Sequence, residues 1–117
     1  MAGFDIEKYR PRIIKIFNRY LGSGYILFLF GSYAKGGADR LSDLDLAVYR
    51  HKPISSKDIM CIKEELERSL GILREIDLIN LTDNTVTPKI IDSILQEGIL
   101  WVGEINSKEF LTDLKRR

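Results

Sequence analysis

Two apolar runs constrain this chain more than any other feature. YILFLF fills positions 25–30, DLDLAVYR fills 43–50, and the glycine-punctuated connector GSYAKGGADRLS joins them. The first run is continuous, aromatic and branched, the pattern of a strand covered on both faces. The second alternates. As a strand it sends Leu44, Leu46 and Val48 one way and Asp43, Asp45 and Ala47 the other. Two carboxylates thus stand side by side on a sheet face. Like charges so placed repel, and burial makes this worse. A fold containing this pair needs something to offset that cost.

The rest of the chain supplies the cover. Apolar residues Ile6, Tyr9, Ile13, Phe17 and Tyr20 fall at helical spacing through 6–21, with Asp5 as a candidate N-cap. Pro11 either kinks that helix or sits in the first turn of a fresh one. Beyond Pro53, Ser55 or Ser56 caps a helix running to Leu70, with Ile59, Ile62, Leu66 and Leu70 as its stripe and Gly71 as its stop. A third strand lies within ILREIDLINL at 72–81. Thr87 as cap, Pro88 at the first helical position and Gly98 past the end define another helix. ILWV at 99–102 reads as a short strand. A last helix is expected from Ser107 onward, with Phe110, Leu111 and Leu114 inward. The order α-β-β-α-β-α-β-α predicts an α/β, α+β-like fold: one mixed sheet of about four strands flanked by helices. The helix between the second and third strands predicts a right-handed parallel crossover. A single domain over 1–117 is expected.

Composition narrows the function. At 44% hydrophobic and 30% charged the chain is an ordinary globular one, and its net charge of +1 lacks the basic excess of a general nucleic-acid binder. No signal peptide or membrane-length apolar span is present in the sequence. A reducing cytoplasm is the expected setting, and no membrane partner is expected. The single cysteine, Cys61, forms no intramolecular disulfide and reads as a small helix filler. The lone His51 reads as a loop residue, because one histidine without partners makes a poor metal site.

Closely set carboxylates become tolerable with a divalent cation between them. Mg²⁺ takes hard oxygen ligands, commonly one or two carboxylates plus substrate phosphates. The Gly31-Ser32 pair, at the end of the first strand, offers backbone amides and a hydroxyl as an anion cradle. Gly31 permits close approach of a phosphate, and Lys35 is a candidate point charge. If Ser32 and Asp43 share a site, the first two strands run antiparallel. If the third strand is parallel to the second, its early residues reach the same end, and Asp77 is among them. Three carboxylates beside a phosphate cradle suit two-metal phosphoryl chemistry. The bland alternative makes Asp43 a turn acid and Asp45 an edge-strand solubiliser. It explains neither the apolar flanks nor Asp77. For Lys35 a solvated side chain competes with a phosphate ligand, and Tyr33 reads as packing.

Gly31-Ser32, about ten residues, then Asp43-x-Asp45 resembles the signature of the DNA polymerase β superfamily of nucleotidyltransferases. The fuller stretch LFGSYAKGGADRLSDLDLAV, with the closing ILQEGILWVG, is similar to the minimal nucleotidyltransferases (MNT family), many of which are encoded beside HEPN-domain proteins as toxin–antitoxin pairs. Tyr33 and Lys35 stand where that family commonly carries arginine. The resemblance implies a palm-like nucleotidyltransferase fold. It implies Asp43, Asp45 and Asp77 as catalytic metal ligands for two Mg²⁺ ions, and Gly31, Ser32 and Lys35 as nucleotide contacts. It implies transfer of AMP from ATP, or of another nucleoside monophosphate, to a hydroxyl, with Asp77 as a candidate proton acceptor. Relatives that modify antibiotics or extend nucleic acids carry extra acceptor-binding domains, for which this chain has no room. The expected acceptor is therefore a tyrosine of a partner HEPN toxin, the chain being its antitoxin. Two other readings remain: an antitoxin that acts by binding alone, and a small-molecule nucleotidyltransferase with a dimer-built pocket; the oligomeric state, homo- or hetero-oligomer, is left open by the sequence.

Overall fold

The computed structural model describes residues 6–31, 43–70, 75–83 and 86–103 of the 117. A short 3-10 turn, Ile6–Lys8, leads into helix α1, Arg10–Leu21. Strands β1, Tyr25–Phe30, and β2, Leu44–Arg50, follow. Helix α2, Ser56–Leu70, crosses to β3, Ile76–Asn80. Helix α3, Pro88–Glu97, then delivers β4, Ile99–Val102.

Local chemistry sets these boundaries. Of the two roles open to Pro11, the structure takes the second: it lies in the first turn of α1, where a missing N–H costs nothing, and the chain before it is a separate turn. Ser55 caps α2, its Oγ accepting the Asp58 backbone N–H at 3.1 Å. Thr87 caps α3 by accepting the Ile90 N–H at 3.4 Å, with Pro88 next in line. The second strand begins one residue later than the sequence pattern suggests, at Leu44, leaving Asp43 just before it. The expected final helix from Ser107 lies outside the described residues.

The sheet order is β3-β2-β1-β4. β1 pairs antiparallel with β2 and with β4, and β2 pairs parallel with β3. Both orientations expected from the sequence are therefore present. The parallel pair is joined through α2, as a crossover requires.

Two cores cover the two faces. On one, Ile13, Ile16 and Phe17 of α1 and Ile62, Leu66 and Leu70 of α2 pack with Leu27, Leu29, Leu44, Leu46, Val48, Ile76 and Trp101. On the other, Ile91 and Ile94 of α3 pack with Phe28, Ala47, Tyr49 and Leu81. The second cluster is smaller. It covers the later part of β2 and leaves the start of β2 and β3 without helix cover from its buried members. That uncovered sheet end is where the acids of β2 and β3 fall. Among the described residues no helix is long and apolar enough to cross a membrane.

Candidate functional site

The pairing registers bring the candidate residues that the structure describes to one end of the sheet. In the antiparallel pair, Phe30 at the end of β1 stands opposite Asp45. In the parallel pair, Asp45 stands opposite Asp77. Side chains two apart share a face, so Asp45 and Asp77 lie on the face of Ala47, Tyr49 and Ile79, the one α3 covers further along. Asp43 is bound into the same end, since the next residue, Leu44, donates its N–H to the Glu75 carbonyl at 3.0 Å.

Gly31 joins the two halves of the site. Its φ is +72°, in the left-handed region that favours glycine. A methyl group built on it would overlap Asp45 Oδ2 and stand 3.0 Å from Cγ and 3.2 Å from Cβ. The Asp45 carboxylate is therefore packed over the bare α-carbon of Gly31. Gly31 and Asp45, fourteen residues apart in the sequence, are in contact at this point.

Electrostatics follow from that packing. The Asp45 carboxyl is pushed above its ordinary value of 3.8, first by burial, then by the negative charges of Asp77 and Asp43. Asp45 is half-buried, while Asp43 and Asp77 are exposed. Among the described residues none of the three forms an ion pair. Mutually repelling carboxylates of this kind form a hard-oxygen donor set that suits Mg²⁺ chemically. Among the described residues, however, no group of three His, Cys, Asp or Glu side chains converges closely enough to hold a metal ion. The donor set thus fits an ion that takes one or two carboxylates at a time and fills its other positions from phosphate oxygens and water.

Glu75, the other acid near the start of β3, is exposed and precedes the strand. It has no register partner in β2, whereas Asp77 does. Ser32 and Lys35 lie outside the described residues. What the sequence did not suggest is the direct packing of Asp45 on Gly31. The only hint was that both motifs sit at strand ends that an antiparallel pair would bring together.

A cavity of about 740 Å³ opens at the opposite end of the strands, lined by Gly22, Tyr25, Tyr49, Arg50 and His51 among others. Tyr25 pairs with Arg50 and Phe30 with Asp45, so this cavity is most of a strand length from the carboxylates, roughly 15 Å at 3.3 Å per residue. It is not part of the acidic site. His51 is exposed there, in the loop after β2, and its ring meets that of Tyr49 edge-on at 5.7 Å.

Comparisons with known proteins agree with this architecture. The chain is 38% identical over 71 residues to MJ0435 of Methanocaldococcus jannaschii, a candidate protein adenylyltransferase; the match spans 61% of this chain and 72% of that one. A crystal structure described as a toxin–antitoxin with AMP-PNP superposes with a TM-score of 0.76 at 22% identity, covering 92% of this chain and 84% of that one. A tri-AMPylated Shewanella oneidensis HEPN toxin in complex with MNT antitoxin contributes a chain with a TM-score of 0.70 at 19% identity, covering 91% and 79%. At those identities the structures establish the fold. The family described as polymerase beta, nucleotidyltransferase matches residues 12–104, which include Gly31, Asp43, Asp45 and Asp77, and the chain belongs to that family.

Proposed function

We propose that the protein is an Mg²⁺-dependent adenylyltransferase that moves AMP from ATP onto a tyrosine hydroxyl of a HEPN-domain partner, as the antitoxin of a toxin–antitoxin pair. The observation that carries the chemistry is the meeting of Asp45 with Asp77 in register and with Gly31 beneath it. The choice of acceptor rests on the relatives. One bears the name of a protein adenylyltransferase, and a neighbour in fold is an antitoxin in complex with an AMPylated HEPN toxin.

In this reading Asp43, Asp45 and Asp77 would hold the two Mg²⁺ ions between them, each ion taking one or two of these carboxylates at a time. The ions would supply charge neutralisation for the triphosphate and a lowered pKa for the acceptor hydroxyl. The chain's own residues do the rest. Gly31 leaves room for the Asp45 carboxylate against the backbone, its own N–H would face the phosphates, and Ser32 and Lys35 would serve as further phosphate contacts. Asp77, at the exposed rim, accepts the proton of the attacking hydroxyl. The tyrosine oxygen forms a bond to the α-phosphorus as the bond to the β-phosphate oxygen breaks. Pyrophosphate leaves with that electron pair.

The test is intact-mass spectrometry of a HEPN protein encoded beside this chain, after incubation with ATP, Mg²⁺ and the purified protein. The expected result is whole-number additions of AMP that map to tyrosine. A partner that is bound and neutralised at unchanged mass would replace catalysis with masking by contact.

A further inference from the structure

The face of the sheet remote from the carboxylates carries a second feature. Arg12, Lys15 and Arg19 fall three and four residues apart along α1, hence on one side of it. They border a groove of about 500 Å³ between α1 and α2, completed by Arg68, Ser69 and Glu65 of α2. That is four cations and one carboxylate, three net positive charges, on a chain whose total is +1.

Two of the cations are held in place. Arg12 donates from Nη1 to the Ser69 carbonyl at 2.9 Å, and its guanidinium lies 5.8 Å from the centre of the Tyr9 ring. Arg19 pairs with Glu65 at 2.5 Å. These contacts fix the two guanidinium groups before any ligand arrives, which lowers the ordering cost of binding. Lys15 and Arg68 are exposed, and no hydrogen bond or ion pair engages either among the described residues. Part of this charge has a local task, since cations near the end of α2 offset its exposed carbonyls. That task accounts for Arg12 and Arg68, and Arg19 has the same role in the last turn of α1 besides its pair with Glu65, which leaves Lys15 as the cation without such a task.

We propose that this groove is a docking site for an acidic segment of the protein that accepts the nucleotide. The partner's being a protein rests on the function proposed above; its acidic character follows from the groove. Charge complementarity favours a short run of carboxylates over nucleic acid. Three net charges match a few acidic side chains, whereas the chain as a whole lacks the basic excess that a phosphate backbone calls for. α1 and α2 cover one face of the sheet, and the acids lie on the other. A partner held here leaves the carboxylate end open, so docking and transfer use separate surfaces.

The test uses a fluorescein-labelled glutamate-rich peptide and a labelled oligothymidylate as probes, with anisotropy as the readout. Lys15→Glu with Arg68→Glu turns the groove from three net positive charges to one net negative. The peptide is expected to bind the wild type in a salt-dependent way and to lose roughly tenfold or more in affinity for the double variant. Lys15→Ala with Arg68→Ala, which makes a smaller change on exposed helix positions, should lose less. Binding of Mg²⁺-ATP, measured on the same samples, should stay unchanged, because neither residue is near the carboxylates. Equal peptide affinity in wild type and charge-reversed protein would overturn the proposal. So would an oligothymidylate that binds the groove more tightly than the peptide. Failure of the wild type to bind Mg²⁺-ATP would instead count against the nucleotidyltransferase site and leave the groove result standing.

Discussion

Replacing Gly31 by alanine tests whether the two motifs are coupled as the geometry indicates. Two costs are expected. The φ of +72° is unfavourable for any residue with a Cβ, about 1–2 kcal/mol. The new methyl would also overlap the Asp45 carboxylate, with Cγ at 3.0 Å and Cβ at 3.2 Å. Asp45 is short and sits on a paired strand, so it has little room to turn away. Overpacking of this kind costs roughly 1–2 kcal/mol more. Together about 2–4 kcal/mol should be lost, and with a typical urea m-value of about 2 kcal/mol/M the midpoint falls by roughly 1–2 M. The two costs separate in a double-mutant cycle. In an Asp45→Ala background the carboxylate is gone, and Gly31→Ala should cost little beyond its backbone share. The coupling between the sites should then be about 1 kcal/mol or more. Urea titrations followed by the fluorescence of the single tryptophan, buried Trp101 on β4, report all four proteins. A Gly31→Ala cost below ~0.5 kcal/mol, or one equal in both backgrounds, would refute the packing of Asp45 on Gly31.

Two further outcomes follow from the carboxylates. Asp77→Asn should bind Mg²⁺-ATP nearly as well as wild type yet lose most of its turnover, while Glu75→Gln should change neither; calorimetry and single-turnover mass shifts on the HEPN partner check this, and the reverse pattern would move the third carboxylate to Glu75. The raised pKa of Asp45 also sets a pH dependence for the metal-free protein. Its folded-state value lies above the unfolded 3.8, so the folded state holds the proton more tightly, and stability contributed by this group rises as pH falls from neutral toward 3.8. Asp45→Asn should flatten that slope and leave the metal-free protein at least as stable at pH 7, as read by urea midpoints between about pH 4 and 7; a steeper slope or a marked loss of stability at pH 7 would contradict it.

Most of the fold was legible because its signals are local. YILFLF and ILWV became strands at the bounds their apolar runs suggested, and Thr87-Pro88 began a helix, since each pattern depends on neighbours in sequence. Pro11 stayed ambiguous for the opposite reason: a kink and a fresh start satisfy the same local rules. The structure resolves it in favour of a fresh start, with Ile6 in a separate turn whose side chain reaches the main core. The gathering of the three candidate aspartates was legible, but their contacts were not. That Asp43, Asp45 and Asp77 share a sheet end follows from strand direction, which the sequence order implied. That Asp45 faces Asp77 and lies on Gly31 depends on register, which no local pattern determines.

The unequal covering of the sheet's two faces connects stability with chemistry. Repulsion among the acids weakens the fold at one end of β2, and the remedy lies elsewhere in the same strand. Leu44, Leu46 and Val48, interleaved with Asp43, Asp45 and Ala47, are fully buried under α1 and α2. Each fully buried side chain of this kind contributes about 1.5–3 kcal/mol. β2 is thus anchored through one face while the other face holds charges close together. A one-residue slip would exchange the two sets and place the acids in the main core, so the buried leucines fix the register that brings Asp45 opposite Asp77. Alternation in DLDLAV therefore carries both parts of the design: the leucines supply the anchorage and the register, and the aspartates are held in place by it.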